Sequence, residues 1–163
     1  MATENIEKLT RLSQERGEPF RILIVDDEKW VRDVFRDFCD LTDAFAIDVA
    51  RDGNEAVAMV KDNSYDLITL DLIMPEMGGV EATRRIKDLS PRTQIVVLTS
   101  YHDDEHIFPA LQAGAISYVL KDIKMEELAT AIERAARGEA TLHPRVASRL
   151  ILEMHGAPQE KVN

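Results

Sequence analysis

Five positions carry side chains suited to phosphoryl chemistry, and each closes a short apolar run. Asp26 and Asp27 follow FRILIV (20–25), Asp71 follows LITL (67–70), Thr99 follows QIVVL (94–98) and Lys121 follows SYVL (117–120). If these runs are neighbouring parallel strands, the five side chains meet on one rim. Three carboxylates brought together repel at neutral pH, so they either raise their pKa values or bind a cation. An all-oxygen ligand set selects a hard ion, Mg²⁺ or Mn²⁺, which keeps waters and leaves positions open to a phosphoryl oxygen. A carboxylate oxygen of Asp71 can then attack phosphorus and form an acyl phosphate, with the metal offsetting the charge that develops. The Lys121 ammonium supplies a positive charge for the phosphoryl oxygens, and the Thr99 hydroxyl a hydrogen bond. Taken singly, the same residues have plainer roles: Asp26 and Asp27 as caps of the helix that follows, and Asp71 as a strand-end turn residue.

The elements that must position them can be read from periodicity. Leu67–Gly79 (LITLDLIMPEMGG) is an apolar strand that ends at Asp71 and runs at once into a Pro/Gly loop. Upstream, Ile6, Leu9 and Leu12 recur at spacing three, which fits an amphipathic helix over 3–16 or equally a frayed polar tail; Gly17 and Pro19 end it. Phe20–Val25 is a strand, and Val31, Val34, Phe35, Phe38 and Leu41 share one helical face. Ala46–Ala50 is a second strand, Glu55–Lys61 a helix and Asp66–Leu70 the third strand. A helix over Gly79–Leu89, a strand over Gln94–Leu98, a helix over Asp103–Ala113 and a strand over Ser117–Leu120 follow. Met125, Leu128, Ile132, Ala135 and Ala136 mark another helix, and Pro144–Met154 a last one. Pro109 inside the fourth helical pattern predicts a helix that begins near 107–109 or bends there. Strands alternating five times with helices, each strand a near-continuous apolar run, argue for an α/β fold: a five-stranded parallel sheet covered on both faces.

Composition bounds the function. The chain has 163 residues, enough for one domain and its tails. With 30 acidic and 20 basic residues its net charge is −10, a poor electrostatic footprint for nucleic acid. No apolar run approaches membrane-spanning length, and the N-terminus lacks a signal-peptide core. The single Cys39 cannot form an internal disulfide, which fits a reducing cytoplasm.

The wording IVDD at 24–27, DLIMPEMGG at 71–79, LTS at 98–100 and AGAISYVLKD at 113–122 resembles the receiver domain of two-component response regulators, over residues 20–138. The resemblance implies a doubly wound, flavodoxin-like fold with strand order 2-1-3-4-5. It makes Asp71 the phosphoacceptor, Asp27 a direct Mg²⁺ ligand, Asp26 a ligand acting largely through water, and the backbone carbonyl of Ile73 the third protein ligand. Thr99 and Lys121 would contact the phosphoryl group, and Tyr118 would be the aromatic switch that moves with Thr99; read alone, a tyrosine there is more often core or half-exposed strand packing, and its position three before Lys121 is what raises the switch reading. Ile73, two residues after Asp71, and Tyr101, two after Thr99, would flank the path of the hydrolytic water. Both are bulky and neither is a good base, so loss of phosphate is expected to be slow. Asp122 stands where many receivers have a proline, which leaves the isomer of the Lys121–Asp122 peptide open.

AGAISYVLKD and the tail GEATLHPRVASRLI further resemble NarL/FixJ-type transcription factors. That implies three segments: an extension over 1–19, the receiver over 20–138, and a linker helix and tail over 139–163 leading to a helix-turn-helix domain. The linker-like helix suggests a truncated transcription factor rather than a stand-alone receiver. The implied partners are a sensor histidine kinase, a second copy on phosphorylation and DNA through the output domain, with no membrane. Two other functions stay in view. A Mg²⁺-dependent phosphatase with an Asp nucleophile would want a second Asp two residues on, where Ile73 stands. A phosphorylation-independent interaction module usually lacks one of the acidic, Thr or Lys positions. His102 and His106 at i, i+4 could hold a metal but more simply mark a solvated helix face. Cys39 and Trp30 read as helix-face packing, and Gly78 and Gly79 as loop geometry and close helix packing.

Overall fold

The computed structural model describes residues 2–40, 42–100, 104–122, 124–141 and 144–156. Its elements, in order, are α1 (Ala2–Arg16), β1 (Phe20–Val25), α2 (Lys29–Cys39), β2 (Phe45–Ala50), α3 (Gly53–Asp62), β3 (Leu67–Leu70), α4 (Gly79–Leu89), β4 (Gln94–Thr99), α5 (Asp104–Ala113), β5 (Ser117–Leu120), α6 (Met125–Ala136) and α7 (Pro144–Gly156). The five strands are parallel and ordered β2-β1-β3-β4-β5. The chain therefore reverses direction across the sheet after β2. Right-handed crossovers then send the connecting helices to opposite faces on either side of that reversal. No described helix is long and apolar enough to cross a membrane.

Alternate strand residues feed two cores. On one face Leu23, Val25, Ile68, Leu70, Ile95 and Val97 pack against α3, α4 and Ala110 of α5. On the other, Ile22, Ile24, Leu67, Val96 and Leu98 pack against Val31 and Phe35 of α2 and Leu128 and Ile132 of α6. Strands buried on both sides leave no polar face, so the sequence shows apolar runs instead of alternation.

Helix α1 belongs to the second core. Leu9 is fully buried there, and Leu12 packs against it. The Arg16 guanidinium donates to both carboxylate oxygens of Asp66, at 3.0 and 3.1 Å, and lies 4.4 Å from the Phe20 ring centroid. A frayed tail would bury nothing, so the helical alternative holds for this segment.

Two points left open by the sequence are decided here. Helix α5 starts at Asp104 and carries Pro109 inside it, so it does not begin at the proline; the ring tolerates the helical φ and forfeits one backbone hydrogen bond. No described peptide bond is cis, that between Lys121 and Asp122 included, as expected where no proline follows.

Among the described glycines, the tightest backbone approach lies beside Asp71. A Cβ on Gly79 would sit 2.5 Å from the Asp71 carbonyl oxygen and 2.6 Å from the Leu72 Cα. Both are main-chain atoms and cannot rotate away. Gly79→Ala is expected to cost about 1–3 kcal/mol by overpacking, read as a lower urea midpoint. Leu9→Ala should cost about 2–5 kcal/mol as a core cavity; a change under about 0.5 kcal/mol, typical of exposed sites, would show that α1 is not part of the core.

Candidate phosphoacceptor site

Strand register assembles the site. Val25 pairs with Leu70, so the next residues, Asp26 and Asp71, emerge side by side; the Asp71 amide donates to the Val25 carbonyl at 3.1 Å. Thr99 pairs with Leu120, and the Lys121 amide donates to the Thr99 carbonyl at 2.8 Å. The ends of β1, β3, β4 and β5 thus form one rim at the switch point of the sheet, where open α/β folds place their ligands. Asp26, Asp71 and Thr99 are buried, whereas Asp27 is exposed.

Lys121 spans the rim. Its Nζ lies 3.1 Å from Asp71 Oδ2, 3.1 Å from Asp26 Oδ2 and 2.5 Å from Glu28 Oε1. It donates hydrogen bonds to Asp71 and Glu28. The Asp26 contact is an ion pair out of hydrogen-bond alignment, which leaves Asp26 Oδ2 buried with no donor. The other oxygen, Oδ1, accepts the Glu28 amide at 2.9 Å, and Asp71 Oδ1 accepts the Ile73 amide at 3.3 Å.

Electrostatics follow from burial. Desolvation pushes the Asp26 carboxyl above the ordinary carboxylate range, and the Glu28 amide and Lys121 offset this only in part. Asp71 is raised for the same reason, with Lys121 opposing and the Asp26 charge adding. Burial works against the Lys121 ammonium, but the three carboxylates outweigh it and hold its pKa above the ordinary lysine value. Glu28 is held below the ordinary range, chiefly by its hydrogen bond to Lys121 and then by that from Trp30.

The residues fit a hard divalent cation. Asp26, Asp27, Glu28 and Asp71 each bring a carboxylate oxygen within 4.8 Å of the others, and Asp26 Oδ2 is buried without a hydrogen-bond donor. Oxygen-only donors of this charge suit Mg²⁺.

Ile73 is exposed just past Asp71. Tyr118 is half-buried, packed between the α3–α5 core and the side chains of Ile107 and Phe108. Tyr101 and His102 lie outside the described residues, as do the side chains of His106 and Cys39. Trp30 is not packed into a helix face: it is 51% exposed and donates its indole N–H to Glu28 Oε2 at 2.8 Å. Glu28 is the participant that sequence reasoning passed over. Its signal was available as the third consecutive acid after β1.

Residues 22–133 match the response regulator receiver domain family. Among curated relatives, the transcriptional regulatory protein LiaR of Bacillus subtilis (strain 168) is 41% identical over 133 residues, covering 80% of this chain and 63% of its own. The uncharacterized transcriptional regulatory protein YxjL of the same organism is 38% identical over 141 residues, covering 86% and 65%. The chain thus spans a little under two thirds of the length of these relatives. Among solved structures, a two-component response regulator of the LuxR family from Aurantimonas sp. SI85-9A1 aligns with a TM-score of 0.74 at 30% identity, covering 84% of this chain and 99% of that one.

A raised carboxyl pKa has a definite sign for stability. Asp26 adds stability below its unfolded pKa and loses it as pH rises through the folded pKa, so its charge is a cost at neutral pH. Asp26→Asn is expected to raise the melting temperature in Mg²⁺-free buffer at neutral pH by roughly 3 °C, or about 1 kcal/mol in a chain of this size. Added Mg²⁺ should stabilise the wild type more than the variant. A lower melting temperature for Asp26→Asn would contradict the sign.

Proposed function

The chain belongs to the response regulator receiver family, and from that premise we propose that Asp71 accepts a phosphoryl group from a phosphohistidine of a sensor kinase. The observation that carries this reading is the convergence of Asp71, Asp26 and Lys121 within 3.1 Å contacts on one rim. A carboxylate oxygen of Asp71 forms the new bond to phosphorus as the P–N bond to the histidine breaks, and the imidazole leaves with the electron pair and takes up a proton. Mg²⁺, or Mn²⁺, held by Asp26, Asp27, Asp71 and the Ile73 carbonyl, would neutralise charge on the phosphoryl oxygens. Lys121 donates to one of those oxygens, and Thr99 to another.

Control of an output domain by phosphorylation is the general function of this family. In this chain the signal would run from Thr99 to Tyr118 and bias the surface of α5, β5 and α6. The readout we propose is a homodimer that places two DNA-binding output domains, outside these residues, on paired half-sites. The protein would act in the cytoplasm. The segment division is part of the same reading: an extension over 1–19, the receiver over 20–138, and a linker helix and tail over 139–163.

Acetyl phosphate with Mg²⁺ should add the mass of one phosphoryl group to the wild type and none to Asp71→Ala. Modification that persists in Asp71→Ala, or a wild type that stays unmodified, would refute the assignment. Ile73 and Tyr101 offer no base to the attacking water, so the phosphoryl group should be lost over minutes to hours. A lifetime of seconds, timed on labelled protein, would contradict their proposed role.

A further inference from the structure

Glu28 is engaged at both carboxylate oxygens: Oε1 with the Lys121 ammonium at 2.5 Å, and Oε2 with the Trp30 indole at 2.8 Å. An ammonium has three donor positions, and three carboxylates surround this one. Two of its donors go to Asp71 and Glu28 and the third faces Asp26 out of alignment, so moving the ammonium toward a phosphoryl oxygen beside Asp71 stretches these contacts. The three are not equivalent. The Asp26 and Asp71 side chains are 2% and 7% exposed, and that of Glu28 is 43% exposed. A buried carboxylate that loses its cation keeps its full desolvation penalty. An exposed one is taken over by water at little cost. When Asp71 is phosphorylated it loses its charge and its bond to Lys121 can pass to a phosphoryl oxygen. Of the two carboxylates that remain, Glu28 is the partner that yields, because water can take it over, and the indole keeps its carboxylate beside the site.

We propose that Glu28 is a positioning residue: it parks the Lys121 ammonium at rest and releases it when a phosphoryl group arrives, while Trp30 retains the freed carboxylate. The inference rests on the reading of Asp71 as phosphoacceptor. Its consequence is kinetic. At rest Lys121 divides its donors between Asp71 and Glu28, so the Glu28 contact lowers the fraction of protein in which the ammonium is free to follow the phosphoryl oxygens. Glu28→Gln keeps the length of the side chain and an acceptor for the indole, and removes the charge that holds the ammonium. Trp30→Phe leaves that charge but removes its anchor.

The test uses the full chain, acetyl phosphate and saturating Mg²⁺, with initial rates of mass gain for the wild type, Glu28→Gln and Trp30→Phe. Relief of the resting hold should raise the Glu28→Gln rate by about three- to tenfold, and the Trp30→Phe rate by less. A second readout is independent of transfer. Trp30 is the sole tryptophan, so its indole N–H resonance is unambiguous. Beryllofluoride with Mg²⁺ should shift it in the wild type, as Glu28 exchanges the ammonium for water, and shift it less in Glu28→Gln. A Glu28→Gln rate at or below wild type, or a wild-type indole resonance that beryllofluoride leaves unmoved, would overturn the proposal. If Glu28→Gln does not fold, Trp30→Phe decides: a rate above wild type supports the hold, and an equal or lower one refutes it. A wild type that takes up no phosphoryl group would instead overturn the phosphoacceptor reading.

Discussion

One ammonium stands among three carboxylates, and much of the arrangement of the sheet serves to put it there. Asp26 and Asp71 are almost fully withdrawn from water, a state that is costly for a charged carboxylate without a cation beside it. Lys121 comes from the far strand, β5, and its stem must cross β4 to reach them. That is possible because β5 pairs with β4 and β4 with β3, which brings the tips of the strands onto one rim. The compensation is incomplete, since desolvation still wins at both aspartates. The site therefore holds unspent negative charge, the condition under which a hard cation is bound.

The same rim depends on a backbone contact. Helix α4 begins at Gly79, against the main chain of Asp71 and Leu72 with no room for a side chain. The Gly79 amide donates to the Leu72 carbonyl at 2.8 Å, and the Thr83 hydroxyl to the Gly79 carbonyl at 2.7 Å. These bonds tie the loop after β3 to a helix whose Ala82 and Ile86 are locked in the core. The position of Asp71 is thereby coupled to the packing of one whole face of the sheet. The opposite face carries α2, α6 and, through Leu9, helix α1.

Away from the carboxylates, packing thins. Around α5, among the described residues, Ile107 and Phe108 form a separate buried cluster, with Leu111, Tyr118 and Leu150 of α7 laid against it. Arg149 of α7 lies 5.8 Å from the Phe108 ring centroid, and Pro109 removes a hydrogen bond from α5 itself. Segments with few buried contacts open at low free energy. Among the described residues, the region that Tyr118 joins to the site thus includes a small separate cluster, which suits an element that must change its packing.

Much of this was legible in the residue order. The doubly covered parallel sheet follows from apolar runs such as QIVVL alternating with helical periodicity, because both signals come from local geometry. The rim of Asp26, Asp71, Thr99 and Lys121 was legible because each residue closes a strand, and parallel strands end on the same side. Boundaries came within one or two residues; of the two outcomes Pro109 allowed, a late helix start was not the one taken, since a helix already in progress tolerates the ring. Tertiary structure alone decided what depends on side chains far apart in sequence. Glu28 and Lys121 are 93 residues apart and meet; Trp30 turns out to the solvent and holds Glu28 instead of packing inward. Whether Leu9 anchors a helix or frays depended on the second core, where α1 packs along α6. Residue types and spacing specify which groups can react, since valence and charge are local properties. Which carboxylate holds the ammonium, and which can let it go, is set by distance and desolvation, and these exist only once the chain has folded.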